Sequence, residues 1–128
     1  MNPKILIIDR SEHFIELICI RLLNYGYNNF KTAKCGRDGL KIVDFESPDI
    51  VILETRLEDI PGLKVCELIK EIHGSNVKVI IMSGLAEPSQ MTQAKAAGAD
   101  EYVFKTFDCV EILIAVKKLI AEMNVPVS

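Results

Sequence analysis

Short, nearly unbroken apolar runs alternate with longer stretches of helical period along the whole chain. Ile5 to Ile8, Ile50 to Leu53 and Val77 to Met82 are β-branched or aliphatic runs, interrupted only by Lys78. Their length and composition predict strands buried on both faces, as in a parallel sheet. Asn29 to Ala33 and Glu101 to Lys105 are weaker strand candidates. Between them lie helical patterns with recognisable ends. Ser11 can cap a helix from Glu12 to Tyr25, stopped by Gly26. A second runs from Arg37 to Phe45 and ends before Ser47-Pro48, because the residue before proline resists the α region. A third spans Leu63 to Ile72, stopped by Gly74. A fourth spans Pro88 to Ala97 and stops at Gly98, a typical left-handed terminator. Asp108 is placed to cap a fifth, which continues to Met123.

Strict alternation of strand and helix with short connections predicts right-handed crossovers and a parallel sheet covered on both faces. Units of this number suit a flavodoxin-like α/β fold, a doubly wound (βα)5 sheet in strand order 2-1-3-4-5. The pattern forms a single domain over residues 1–124, with 125–128 as a loose C-terminal tail.

Composition narrows the class. A chain of 128 residues, 49% apolar and 26% charged, is an ordinary globular domain. No apolar run reaches the roughly 18 to 20 residues of a membrane span, and the run after Lys4 is too short for a signal-peptide core. The expected location is therefore the cytoplasm. A net charge of −3 gives no electrostatic reason to expect a nucleic acid or a membrane surface as partner. Cys19, Cys35, Cys66 and Cys109 are scattered, and neither they nor His13 and His73 supply the close pairs of a zinc site. The expectation is free thiols and no cofactor.

In open α/β sheets, sites lie beyond the carboxyl ends of the strands, beside the point where strand order reverses. The residues there are Asp9-Arg10, Glu54, Ser83-Gly84 and Lys105-Thr106. Carboxylates, a hydroxyl and cations therefore converge on one end of the sheet.

Ile5-Leu6-Ile7-Ile8-Asp9, Pro48 to Glu54, Val79 to Gly84 and Ala99 to Lys105 together resemble response-regulator receiver domains. The resemblance covers essentially the whole chain, with the blocks in order at the family's spacing. It implies a pocket in which an acidic pair after the first strand and an aspartate ending the third hold Mg²⁺, the aspartate also taking a phosphoryl group. It also implies a hydroxyl and a lysine that bind the phosphoryl oxygens, and an aromatic residue that moves as the domain switches. By position Asp9 matches the first acid, Ser83 the hydroxyl, Lys105 the lysine and Tyr102 the aromatic switch.

Three positions depart from that pattern. Arg10 stands in place of the second acid, Glu54 in place of the phosphoacceptor, and Thr106 in place of the proline after the lysine. Mg²⁺ requires hard oxygen ligands, and exchanging a carboxylate for a guanidinium reverses the local charge. At about 5 Å and an effective dielectric near 20, each unit pair is worth roughly 3 kcal/mol. An inward Arg10 thus disfavours the metal, whereas an Arg10 turned to solvent leaves Asp9 and Glu54 as a weak two-carboxylate site. The extra methylene of Glu54 displaces the acceptor from a geometry that depends on close placement. Held by Lys105, Arg10 or Ser83, Glu54 would fix one conformer without phosphate. A cis bond before threonine costs roughly 3 kcal/mol, so Lys105-Thr106 is expected trans, with the following loop re-routed and Lys105 displaced.

In the last helix Ile112, Val116, Leu119 and Ile120 share the face expected to cover the sheet. Val110 and Ile114 fall on another side. The resemblance implies that the fourth helix, fifth strand and fifth helix dock partners, so Tyr102, Val110 and Ile114 mark the expected partner surface.

The functional expectation is an atypical, non-enzymatic receiver that acts through protein–protein contact without phosphorylation. Its partner would be a histidine kinase, an output domain or a second copy of the chain. The alternative is a working phosphoacceptor that takes phosphate from a histidine kinase, with Mg²⁺ weakly held by Asp9 and Glu54.

Overall fold

A computed structural model describes residues 2–84 and 88–124. The elements are β1 (Ile5–Ile8), α1 (Glu12–Asn24), β2 (Phe30–Ala33), α2 (Gly36–Glu46), β3 (Ile50–Glu54), α3 (Gly62–His73), β4 (Lys78–Ser83), α4 (Pro88–Ala96), β5 (Glu101–Phe104) and α5 (Val110–Met123), with a 3₁₀ turn at Gly74–Asn76. All strand pairs are parallel and the order is β2-β1-β3-β4-β5, as the alternation predicts. The tail expected over 125–128 lies outside the described residues.

The period-2 geometry of a strand sorts the apolar runs into two cores. Ile5, Ile7, Ile50, Ile52, Ile80 and Met82 face α1 and α5, where they meet Ile18, Leu22, Ile112 and Val116. Leu6, Ile8, Val51, Leu53, Val79 and Ile81 face the opposite way onto Val43 of α2, Val65 and Ile69 of α3, and Ala94 of α4. A strand buried on both sides needs no polar alternation, which is why β1, β3 and β4 read as unbroken runs.

The helix ends follow local chemistry. Ser11 accepts the Phe14 backbone N–H at 3.2 Å and caps α1. Gly98, at φ +92°, ends α4 in the left-handed region. Ser47, before Pro48, leaves α2 with φ 46°. At α5 the cap differs from expectation. Cys109, in the left-handed region at φ 54°, occupies the cap position, one residue later than Asp108. The Asp108 carboxylate still accepts the Val110 N–H at 3.1 Å, while also receiving the Thr106 hydroxyl at 2.7 Å. That pairing closes a side-chain turn over the loop and pushes the helix start forward.

At the amino ends of β4 and β5, Lys70 of α3 donates to Asp100 Oδ2 at 2.6 Å and to the Val77 carbonyl at 2.7 Å. Asp100 Oδ2 also accepts the Val79 N–H at 2.8 Å. One lysine and one aspartate thereby pin two strands and a helix at the end of the sheet opposite the strand tips described next.

Candidate phosphorylation pocket

β1, β3 and β5, the last separated from β3 by β4, end at the same edge of the sheet, and residues at their tips line a cleft of about 360 Å³. Asp9 follows β1 and is fully buried. Its Oδ1 accepts the Ser11 backbone N–H at 2.8 Å and its Oδ2 accepts Lys105 Nζ at 2.8 Å. Glu54 closes β3 and is 5% exposed; its Oε2 accepts the same Nζ. Lys105 follows β5, donates its backbone N–H to the Ser83 carbonyl at 2.9 Å, and holds Nζ 4.3 Å from the Phe14 ring centroid. One ammonium thus bridges two buried carboxylates with an aromatic face beside it, an arrangement that favours a cation.

The protonation equilibria follow from this crowding. Burial raises the Glu54 carboxyl above its usual value, and the nearby Asp9 charge adds to the effect, outweighing the hydrogen bond from Lys105. Burial alone would lower Lys105, but the hydrogen bonds to Asp9 and Glu54 outweigh it and raise the amine. The pocket therefore keeps its lysine charged and holds its second acid reluctantly ionised.

Gly62 fixes where Glu54 sits. Its N–H donates to the Thr55 carbonyl at 2.9 Å, and a Cβ added there would lie 2.0 Å from the Glu54 carbonyl oxygen. Only a residue without a side chain lets α3 begin so close to the end of β3.

The remaining sequence-derived candidates divide. Arg10 is exposed at the rim and, among the described residues, forms no ion pair; the cation paired with the two carboxylates is Lys105. Ser83 ends β4 and is buried, and its hydroxyl donates to Gln90 Oε1 of α4 at 2.9 Å. The Tyr102 hydroxyl donates to the same oxygen at 3.3 Å. Serine and tyrosine are thus linked through α4. Thr106 is exposed, among the described residues there is no cis peptide, and Lys105 is not displaced from the pocket. Val110 and Ile114, 47% and 60% exposed, lie on the outer side of α5. Sequence reasoning missed Gln90, Phe14 and Arg56, an exposed residue close to Glu54 that lines the same cleft as Arg10.

Residues 5–117 match the family model of the response regulator receiver domain. The chain belongs to that family. Sporulation initiation phosphotransferase F of Bacillus subtilis is 36% identical over 119 residues, covering 92% of this receiver and 94% of the relative. The alkaline phosphatase synthesis transcriptional regulatory protein PhoP of the same organism is 27% identical over 125 residues, and the receiver spans 51% of its length. Other curated relatives are named as transcriptional regulators, and the chain likewise spans about half of each. Among solved structures, the BeF3-activated DrrB receiver domain superposes with a TM-score of 0.83 at 30% identity, covering 94% of this chain and 99% of that one. TrrA of Thermotoga maritima, in complex with Mg²⁺ and BeF, gives 0.82 at 32% identity, covering 91% and 98%. The chain is the receiver domain of a two-component response regulator.

The receiver pocket here does not suit the Mg²⁺ that the family implies. Among the described residues no group of three or more carboxylate, imidazole or thiolate side chains is arranged to hold a metal. The two carboxylates present share one lysine, and both arginines of the cleft stand at its rim. Both carboxylates that could serve as hard oxygen ligands are engaged by Lys105, and a guanidinium stands where the family pattern has a further acid.

Proposed function

We propose that this receiver signals by binding a protein partner without a phosphorylation cycle. The observation that carries the reading is the Lys105 ammonium held between Asp9 and Glu54. Each group that phosphoryl transfer would require free is engaged, and the acceptor position carries a longer acid. Glu54 gives the lysine an anionic partner with one methylene more reach than the aspartate of the family pattern. The domain is then a non-enzymatic module without a cofactor, fixed in one state by its own side chains. Its docking surface includes Tyr102, Val110 and Ile114, and its partner is a histidine kinase, an output domain or a second copy of the chain.

The test is incubation with acetyl phosphate and Mg²⁺ followed by intact-mass analysis. No addition of a phosphoryl group is expected over hours. Stoichiometric incorporation dependent on Mg²⁺ would sink the reading.

One observation favours the second reading, a working phosphoacceptor. Arg10 is exposed and leaves both carboxylates without a guanidinium contact. Under that reading the same incubation labels the protein, and Glu54→Gln abolishes the labelling.

A further inference from the structure

The cleft above Lys105 carries charges of the wrong sign for a metal and the right sign for an anion. Its floor is committed internally: Asp9 has the Ser11 N–H on one oxygen and Lys105 on the other, and Glu54 has Lys105, with one negative charge in excess. Its rim is not. Arg10 and Arg56 both line the cleft and are exposed, and neither forms an ion pair among the described residues. Three cations therefore face two carboxylates, and the two uncommitted cations are guanidiniums. Each guanidinium presents paired N–H donors in a planar fork that matches a tetrahedral or planar oxyanion.

We infer that the cleft is a metal-free oxyanion site, in which Arg10 and Arg56 take a phosphate-type dianion above the Lys105 bridge. This rests on the reading that the pocket runs without Mg²⁺. A dianion matches two guanidiniums in charge, and the cleft volume of about 360 Å³ admits a phosphate with a small substituent. The substitution at position 10 then has a positive consequence. It removes a metal ligand and supplies an anion ligand at the same place. The phosphate can arrive as the free ion or on an ester, and the chemistry at the arginines is the same. No bond to protein forms, so occupancy is reversible and set by ligand concentration.

The test is a two-dimensional NMR titration of the whole chain with sodium phosphate in EDTA at constant ionic strength. Chloride and sodium acetate are controls, and phenyl phosphate is a second arm. Saturable shifts are expected at the Arg10 and Arg56 side-chain N–H groups and at the Ser11 and Gly84 amides, with half-saturation near millimolar phosphate. Arg10→Gln and Arg56→Gln, both at exposed positions that leave the core intact, each weaken binding at least tenfold. Saturation by both phosphates identifies an ester-borne ligand, and saturation by inorganic phosphate alone identifies the free ion. Shifts that rise linearly, match those with chloride, or survive both substitutions overturn the inference. That failure is separable from failure of the phosphorylation-independent reading. The latter is decided by labelling with acetyl phosphate and Mg²⁺, and an unlabelled protein without a phosphate site loses only the present inference.

Discussion

Two lysines, at opposite ends of one sheet, hold carboxylates in different ways. Lys70 meets one aspartate and spends its other donors on the Gly74 and Val77 carbonyls. Asp100 in turn accepts a backbone N–H, so the cluster is balanced, with one cation and one anion among neutral partners. Lys105 meets two carboxylates, both buried, with the ring of Phe14 beside it. The first arrangement is a staple that needs nothing further. The second has more acid than its lysine neutralises, and it sits where sheets of this kind place their sites. Charge imbalance in a buried cluster, rather than the presence of an ion pair, separates a site from a support.

Removing each lysine tests the contrast. Lys105→Met leaves two buried carboxylates without a cation and should cost about 3 to 5 kcal/mol of stability at neutral pH. The loss should shrink as pH falls and the acids protonate, visible in urea unfolding at several pH values. Gly62→Ala attacks the same end from beneath, since its Cβ meets the Glu54 carbonyl oxygen. A backbone shift there should cost about 2 to 3 kcal/mol, and the amides of Glu54 and Thr55 should move with it. Lys70→Met should cost less, about 1 to 2 kcal/mol, because Asp100 is partly exposed and can recruit water. A larger loss at Lys70 than at Lys105 would reverse the comparison.

Glu54→Gln is the smallest and most discriminating change. The Glu54 carboxyl is raised above its usual value. Its favourable contribution is therefore complete below the unfolded-state value and is lost as pH rises through the folded one. The glutamine variant should match or slightly exceed the parent in stability at neutral pH. The advantage should vanish as pH falls through the Glu54 titration towards the ordinary carboxylate range, as read by thermal unfolding across that window. A variant less stable at neutral pH and equal in acid would show the opposite sign, an acid stabilised by its lysine.

Much of this was legible in the chain itself. Ile5–Ile8, Ile50–Leu53 and Val77–Met82 announce buried strands because both faces are covered, and the residues at the strand tips follow from the strand order alone. The rest depended on contacts between segments distant in sequence. Nothing local marks Gln90 as the acceptor shared by Ser83 and Tyr102, or Phe14 as the ring beside Lys105. The direction of Arg10 was open because a long side chain at a loop position has several rotamers and no covalent constraint. Asp108 did supply a cap contact to α5, but its pairing with Thr106 set the helix start, and a capping rule applied to one residue does not see that partner.

The pocket itself gives the most direct check. Amide resonances of Asp9, Glu54, Ser83 and Lys105 should stay unmoved by Mg²⁺ to tens of millimolar, and beryllofluoride added afterwards should also leave them in place. Introducing Arg10→Asp with Glu54→Asp should restore both responses, since the pair returns the missing oxygen donor and shortens the acceptor. Saturable shifts in the unmodified chain at low millimolar Mg²⁺, moving again with beryllofluoride, would contradict a pocket locked by its own lysine.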